Sequence, residues 1–237
     1  MKKILITVIL MLAATSILVA QQKTVEKRFS TSNNQTLTLE LKYGASITIE
    51  ACDRNEINFA ADVEINGGRL NELLKFTFDE QSNQLAITTD FNLDQPFESD
   101  VEDCPDQAYS TNIQKNDDKK VVRCSDINYK LFVPANINIA VESISADIEL
   151  VNFKVPIQAK SIGGFVDLSW PDGNPADFEL KTISGEAFTD IEGLQFPDGR
   201  KTLPIVGYNI EAMIGGNGPQ VSLESVSGNI YLRQTKS

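Results

Sequence analysis

Hydrophobic and polar positions alternate along the first half of the chain. Apolar residues stand at every second position in the runs TLTLEL, SITIE and EINFAADVEI, which are separated by turns at Gly44 and around residues 53–55. Alternation at period two over short runs bounded by turn residues predicts half-buried β-strands. One segment, GRLNELL, has instead the spacing of a single helical turn. The pattern therefore predicts an all-β fold.

One short phrase recurs from about residue 137 to the C-terminus. The four copies have the sequences ESISADIEL, KSIGGFVDL, KTISGEAFT and ESVSGNIYL, and successive copies are 18, 21 and 43 residues apart. Each copy contains a Ser or Thr residue, which we call the corner hydroxyl. Apolar residues lie two positions before it, one position after it and five positions after it, and a small residue lies three positions after it. A strand can change its inward face only where a bend absorbs an extra residue, so each copy is predicted to be a strand, a corner and a second strand. The corner hydroxyls are those of Ser143, Ser161, Thr182 and Ser225.

The period of the repeat predicts how the copies pack. About twenty residues with two short strands is typical of a stacked β-solenoid. We therefore expect an N-terminal β region at 21–135 that continues into a short β-solenoid, or β-helix-like array, at 136–237. The Ile and Val residues of neighbouring copies should form an interior apolar ladder, and Glu142 and Lys160 should pair if their copies are adjacent. An ordinary β-sandwich with strands that are alike by chance is the alternative.

Residues 1–20, MKKILITVILMLAATSILVA, have the features of a secretory signal peptide. Lys2 and Lys3 precede an apolar stretch, and small residues around Ala20 suit a peptidase site. A membrane segment that is retained is the alternative, and it would be the chain's one contact with a membrane. We therefore expect export to the periplasm, the outer-membrane surface or the extracellular space.

The charge of the chain limits its partners. It has 33 acidic and 21 basic residues, which give a net charge of −12. This excess argues against binding of nucleic acid or of an anionic membrane surface. The chain has no histidine, which excludes Ser-His-Asp and Cys-His catalysis and histidine-ligated metals. We therefore expect no catalytic residue, no cofactor and no metal site.

Carboxylates are the only abundant reactive groups. Those in the repeats could serve a polysaccharide lyase or hydrolase, but the sequence places no two of them face to face. Trp170 and three phenylalanines could form a sugar-stacking surface, although packing in the core or at a corner is the favoured interpretation. The carboxylates are Asp167, Asp172, Asp177, Glu186 and Asp190, and the phenylalanines are Phe165, Phe178 and Phe196.

Residues 93–127 interrupt the strand pattern with a polar insertion. Cys104 and Cys124 flank part of it, and because export permits a disulfide we predict that they pair. Closing this loop would stabilise the fold by roughly 3 kcal/mol. Cys52 lies in or beside a strand and is predicted to be a small packed hydrophobic residue. The cluster ESDVEDCPD offers oxygen ligands for Ca²⁺, but a solvated loop is favoured because the glycine of a calcium loop is missing.

Several of these segments resemble the bacterial putative-adhesin family of exported β-strand-repeat proteins. In the C-terminal half they are TISGEAF, IGGNGPQVSLESVSGNIYL and SISADIEL, and in the N-terminal half LTLELKYGASITIEACDRNEINFAADVEI and LFVPANINI. The resemblance covers most of residues 35–92 and 127–235. It implies a right-handed stacked β architecture and a cell-envelope or extracellular location. It transfers no catalytic residue, because the shared residues are Gly, Ser and Ile.

The sequence therefore predicts a non-enzymatic, exported cell-envelope protein with a structural or adhesin-like interaction role. Its partner would be a protein or a glycan at the cell envelope. A carbohydrate-active β-helix enzyme and a calcium-dependent binding module are the alternatives.

Overall fold

The computed structural model describes residues 22–32, 35–92, 94, 103–104, 124–197 and 209–235. Within these ranges the chain forms sixteen β-strands and one 3-10 helix, Asn71–Leu73, in the segment predicted to make a helical turn. The strands are β1 (Lys23–Ser30), β2 (Thr36–Leu41), β3 (Ser46–Cys52), β4 (Glu56–Ile65), β5 (Leu74–Gln81), β6 (Gln84–Phe91), β7 (Ser125–Pro134), β8 (Asn138–Ser143), β9 (Asp147–Val151), β10 (Ile157–Ser161), β11 (Val166–Pro171), β12 (Ala176–Thr182), β13 (Ala187–Thr189), β14 (Asn209–Ile214), β15 (Gln220–Ser225) and β16 (Ile230–Thr235).

The strands form two mixed sheets of eight. Sheet 1 has the order β1-β4-β7-β3-β9-β11-β16-β13, and sheet 2 has the order β14-β12-β15-β10-β8-β2-β6-β5. Pairing is parallel through the middle of both sheets and antiparallel for β1-β4-β7, β5-β6 and β12-β14. The strands before and after residue 136 lie in the same two sheets, since β2 pairs with β8 and β3 pairs with β9.

The core lies between the two sheets. Alternate side chains of nearly every strand are buried, and those of both sheets belong to one hydrophobic cluster. At the end where β5 forms the edge of sheet 2, Phe59 of sheet 1 packs against Phe76 and Phe78, with ring centroids 5.9 and 5.7 Å apart. These are the inward faces that the alternation at period two predicted.

The prediction of a β-solenoid is wrong, because the chain forms two mixed sheets and its copies do not stack in chain order. The copy with Ser225 lies between those with Ser161 and Thr182, since β15 pairs with both β10 and β12. The antiparallel strands β1 and β4 extend sheet 1 beyond the repeats, and β14 does the same for sheet 2. A uniform coil requires each copy to lie on the preceding one, and this topology breaks that order.

Each copy nevertheless changes sheets at the predicted corner, running from sheet 2 into sheet 1 as β8–β9, β10–β11, β12–β13 and β15–β16. The corner hydroxyls are buried; those of Ser161, Thr182 and Ser225 bridge neighbouring copies, and that of Ser143 bonds to Leu41 of β2. Ser161 Oγ accepts a hydrogen bond from the Gly164 amide at 2.9 Å and donates one to the Ala146 carbonyl at 2.8 Å. Ser225 repeats this arrangement with Gly228 and Gly164, at 2.9 and 2.8 Å. The hydroxyl therefore forms hydrogen bonds with backbone groups that have no β-sheet partner at the bend.

The small residue at each corner allows the copies to approach closely. A Cβ placed on Gly164 would overlap the carbonyl group of Ala146 in the next copy. A Cβ on Gly228 would overlap the Gly164 carbonyl, and one on Gly185 would overlap the Gly228 carbonyl. Because these neighbours are backbone atoms on packed strands, they cannot move aside easily, and glycine is required for close contact.

Residues 1–20, predicted to be a signal peptide, lie outside the described residues. Among the described residues no helix is long and apolar enough to cross a bilayer.

Candidate interaction surface

The residue that follows each corner hydroxyl points outward, where the sequence predicted an interior ladder. Ile144, Ile162 and Ile183 are 44%, 41% and 62% exposed. The hydroxyl occupies the last interior position of the strand, so the next side chain leaves the core at the start of the bend. Backbone bonds keep these residues in register, because the Ile162 amide donates to Ser143 O and the Val226 amide donates to Ser161 O, both at 3.1 Å. We call this row the corner ridge; in spatial order it is Ile144, Ile162, Val226 and Ile183.

Three aromatic side chains lie just beyond the corner, on the outer face of sheet 1. Tyr231 and Phe188 are direct neighbours on β16 and β13, and their rings stack at 5.4 Å with an angle of 14° between their planes. The Phe165 ring meets Tyr231 edge-on at 5.8 Å. Phe188 is 43% exposed, and it lies on β13, the edge strand of sheet 1. We call Phe165, Tyr231 and Phe188 the aromatic strip.

Charged groups border the aromatic strip. Arg233 Nη2 lies 2.8 Å from Asp167 Oδ2, and the Arg233 Cζ atom is 5.0 Å from the centroid of the Tyr231 ring. Asp167 is the cross-strand neighbour of both Tyr231 and Glu149. The combination of an aromatic face with a carboxylate and a guanidinium can stack on a ligand ring and also bond its hydroxyl groups.

Asp167 has an unusual environment. Burial raises the pKa of its carboxyl group above the ordinary value. The Arg233 charge opposes this rise in pKa, whereas the charges of Glu149 and Asp190 add to it. Its Oδ1 atom is buried and accepts no hydrogen bond from the described residues. Asp167 is therefore a mostly buried carboxyl group beside an aromatic surface, with one oxygen paired to Arg233 and the other without a hydrogen-bond partner among the described residues.

The other predicted acidic residues do not join a common site. Asp177 accepts a hydrogen bond from Gln220 Nε2 at 3.0 Å on the outer face of sheet 2, away from Asp167. Asp190 accepts a hydrogen bond from the Gln234 amide at 2.6 Å and is near enough to Asp167 to affect its pKa. Of the five candidates, the structure brings together only Asp167 and Asp190. They lie at an open sheet face beside Tyr231.

Trp170 does not belong to the surface. Its side chain is buried, its ring meets Phe178 edge-on at 5.6 Å, and its Nε1 donates to the Asn174 carbonyl at 3.0 Å. The favoured interpretation, core packing, is therefore confirmed for Trp170 and Phe178. Phe196 is partly buried against the core, and Phe165 is the one member of the predicted group that joins the aromatic strip.

The outer face of sheet 2 carries a shallow groove of about 260 Å³. Its floor has small side chains such as Ala140 and Ser222, and a row of alternating charges crosses it. Lys160 Nζ lies 4.0 Å from Glu142 and 3.7 Å from Glu224, which confirms the predicted pair and extends it. Lys181 continues the row at 3.8 Å from Glu224. The lysines are shared between carboxylates, so this row is largely neutralised.

The predicted disulfide is present. Cys104 and Cys124 are bonded, and their Cα atoms are 5.9 Å apart. Cys52 is a free, half-buried thiol at the end of β3. Most of residues 93–127, including all of the cluster ESDVEDCPD except Asp103 and Cys104, lie outside the described residues, so the solvated loop stays a prediction and calcium binding its alternative.

Sequence reasoning missed Tyr231, Phe188 and the exposure of the corner ridge. The sequence did contain a signal for the aromatic pair. Tyr231 and Phe188 both lie six positions after a corner hydroxyl, where the alternation of the strand points the side chain outward. They are 43 residues apart in the chain, and their contact follows only from the insertion of the last copy between two earlier ones.

No family model matches the chain, and no curated protein matches it in sequence. A solved structure of a "putative cell adhesion protein" from Clostridium sporogenes is similar, at 9% identity and a TM-score of 0.51, over 91% of this chain and 100% of that chain. "Putative adhesin" structures from Bacteroides fragilis and Parabacteroides merdae, 7% and 8% identical, cover 91% and 90% of this chain and 99% and 97% of theirs. Their TM-scores of 0.25 and 0.22 are too low to carry an argument. At these identities the likeness concerns the fold alone, and it is in the fold that this chain is similar to the "putative cell adhesion protein" of Clostridium sporogenes.

Proposed function

We propose that this chain is an exported, non-enzymatic, adhesin-like interaction protein that contacts a protein partner through the corner ridge and the aromatic strip. The observation that carries the proposal is the corner ridge, a regular row of β-branched side chains in which the three isoleucines are exposed and Val226 is half-buried. Soluble proteins seldom expose a contiguous apolar surface unless it serves an interaction. The fold of the ridge does not require isoleucine, because an exposed threonine has the same branching at Cβ.

Two further observations support the proposal. The Cys104–Cys124 disulfide suits an oxidising compartment and agrees with the signal-peptide pattern of residues 1–20. The similar Clostridium sporogenes structure, described as a cell adhesion protein, agrees with such a role.

The proposal is tested by adhesion. Beads coated with the mature chain are passed over immobilised extracellular-matrix and envelope proteins, and over a panel of glycans. We expect the beads to be retained on a protein surface, and retention to be lost for the double variant Ile162→Thr/Ile183→Thr. The matched control is Ala140→Thr on the outer face of sheet 2, which should be retained like the wild type. Absence of retention on every protein surface, or equal retention of the double variant, would reject the proposal.

The absence of enzymatic activity has its own test. The chain is incubated with uronate-containing and neutral polysaccharides, and reducing ends and unsaturated uronates are measured. We expect no increase of either above a heat-denatured control. Turnover that is lost in Asp167→Asn would instead support a carbohydrate-active enzyme.

The aromatic strip favours a glycan as the second candidate partner. Phe188 presents a partly exposed ring, and Arg233 presents exposed guanidinium donors beside Tyr231, the two kinds of contact that a sugar ring uses. In the same bead assay, Phe188→Ala should then reduce retention on a glycan surface, because an aromatic contact contributes about 1 kcal/mol in addition to the free energy from the apolar area that it buries. The ridge variant Ile162→Thr/Ile183→Thr should leave glycan retention unchanged, which separates the two candidates.

A further inference from the structure

Positive charge collects at the opposite end of sheet 1 from the aromatic strip. A pocket of about 230 Å³ opens on the outer face of β1, β4 and β7. Its lining includes Arg28, Arg54 and Lys130, although the whole chain has a net charge of −12. We call this the cationic pocket. Local positive charge on an acidic protein is a specific feature, because the overall field repels anions elsewhere.

The register of the three strands explains the shape of the cationic pocket. Ala60 lies between Glu26 and Lys130 in one cross-strand row, so a small side chain forms the floor where its neighbours are long. The next row places Asn58 between Arg28 and Phe132. The depression is therefore built by the sheet itself, on strands in the middle and at the edge of sheet 1.

Two of the cations are free to bind a ligand. Lys130 pairs with Glu50 at 3.4 Å, and its Nζ lies 4.9 Å from the centroid of the Phe132 ring. Arg28 and Arg54 are exposed and make no ion pair with any residue in the described ranges. A guanidinium that is not engaged by the protein presents a planar set of donors that matches a carboxylate.

Glu26 and Asn58 supply oxygen acceptors to the pocket lining. The side-chain oxygen of Asn58 is buried and accepts no hydrogen bond from the described residues. The Glu26 side chain is exposed, so its carboxylate is the acceptor that a ligand reaches. A ligand for this pocket should thus carry hydroxyl or amide donors as well as a negative charge.

Glu26 limits how much negative charge the ligand can carry. Its carboxylate lies in the pocket lining, where it can accept a hydroxyl but repels a second anion. A densely charged chain such as a polysulfate is therefore disfavoured. The volume is smaller than that of a typical pocket for a drug-sized molecule, which suits one ring-sized unit.

We infer that the cationic pocket binds a single acidic sugar unit of a glycan, one pyranose ring with a carboxylate. The carboxylate is held by Arg28 and Arg54, a ring hydroxyl donates to the Glu26 carboxylate, and the apolar side of the ring lies on Phe132. This site uses none of the residues of the corner ridge or the aromatic strip, so the inference does not rest on the proposed function.

The test uses the full mature chain and matched saccharides. Amide chemical-shift titrations are recorded with 3′-sialyllactose, with a hyaluronan tetrasaccharide and with neutral lactose. We expect saturable shifts with at least one acidic saccharide, centred on Arg28, Asn58 and Phe132, and none with lactose. The affinity should fall as salt is added, because the contact is between charges.

Variants distinguish binding at the cationic pocket from general electrostatic attraction between the protein and the saccharide. Arg28→Gln/Arg54→Gln should weaken binding of the acidic saccharide by at least about tenfold, because two charge-assisted contacts are lost. Lys154→Gln is the control, since it removes one exposed positive charge away from the pocket. Unchanged circular dichroism and thermal midpoint establish that each variant is folded.

The inference is overturned by any of three results. Neither acidic saccharide shifts the pocket residues, or the double variant binds like the Lys154 control, or an acidic tetrapeptide of Asp and Glu binds the pocket as well as the saccharides do. The last result would identify the pocket as a site for acidic peptide segments. None of these outcomes bears on retention by the corner ridge.

Discussion

Ser161 and Ile162 are adjacent in the chain and lie in opposite environments. The serine is fully buried, whereas the isoleucine is 41% exposed, the reverse of the usual preference of the two residue types. The same inversion occurs at Ser143–Ile144 and at Thr182–Ile183. The buried side of each corner is polar because backbone groups there need a partner. The outward side is apolar although the fold does not require it.

The difference in burial between the two sides of the corner shows that the positions of one repeat fall into two groups. Positions that face the interior of the corner specify how neighbouring copies meet, and their residue types follow from hydrogen bonding and close contact. Positions that face outward are free of that requirement, and the proposed contact with a partner would explain their isoleucine and aromatic side chains. Substitutions on the two sides of the corner should therefore have separable effects on stability and on binding.

The largest effect is expected from Gly164→Ala. The new Cβ would overlap the Ala146 carbonyl of the adjacent copy, and the two strands would have to separate. We expect a loss of about 4 kcal/mol in the free energy of unfolding, or failure to fold. Urea denaturation followed by circular dichroism measures this loss.

Gly173→Ala is the control for the corner glycine. Gly173 has φ of +69°, but a Cβ there would have nothing within 4 Å. The loss should be about 1 kcal/mol, the cost of a left-handed conformation for a residue other than glycine. Equal losses in the two variants would show that contact between copies does not determine the requirement for glycine.

Ser225→Ala should have the next largest effect. It leaves the Gly228 amide without its acceptor and the Gly164 carbonyl without its donor, in a buried corner. We expect a loss of about 3 kcal/mol in unfolding free energy, because each unsatisfied buried group costs 1–3 kcal/mol. In chemical denaturation Ser222→Ala, on the outer face of β15, should differ from the wild type by less than about 0.5 kcal/mol. A small loss for Ser225→Ala would mean that the hydroxyl does not hold the corner.

Asp167→Asn should have a smaller effect that depends on pH. The folded-state pKa of Asp167 is raised, so the protonated form is the one that folding favours. Its contribution to stability is present below the unfolded pKa and is lost as the pH rises through the folded pKa. The variant should melt like the wild type in acid and at a higher temperature near neutral pH. Thermal midpoints that differ by the same amount at every pH would contradict this explanation.

Lys160→Met should change stability least. Lys160 is 40% exposed and lies between Glu142 and Glu224 on the open face of sheet 2. Surface ion pairs contribute about 0–1 kcal/mol, so the loss should be below about 1 kcal/mol and should vanish at high salt. A loss as large as that of Ser225→Ala would mean that the outer face also specifies the fold.

The sequence was sufficient to predict features that depend on local pattern. The strands follow from alternation, the corners follow from the change of parity around residues such as Ser161, and the Glu142–Lys160 pair follows from equivalent positions in two copies. The Cys104–Cys124 disulfide followed from its flanking positions. Each of these inferences depends only on residues that are close in the chain, or on the single assumption that two segments lie next to each other.

The order of the copies could not be predicted in the same way. Stacking in chain order is the simplest assumption for a repeat, and it fails because β15 and β16 pair on both sides with strands that precede them. The contact between Tyr231 and Phe188, and hence the aromatic strip, depends on that order. The cationic pocket was also hidden, since Arg28, Asn58 and Phe132 come from three strands that are distant in sequence.

The central claim is that the inner side of the corner specifies the fold and the outer side binds. The double variant Ile162→Thr/Ile183→Thr tests it most directly when unfolding free energy and bead retention are measured on the same preparation. We expect the unfolding free energy to stay within about 0.5 kcal/mol of the wild type, because exposed substitutions that keep β-branching perturb little. Retention on the protein surface should be lost. Full retention, or a loss of stability comparable to that of Ser225→Ala, would contradict the claim.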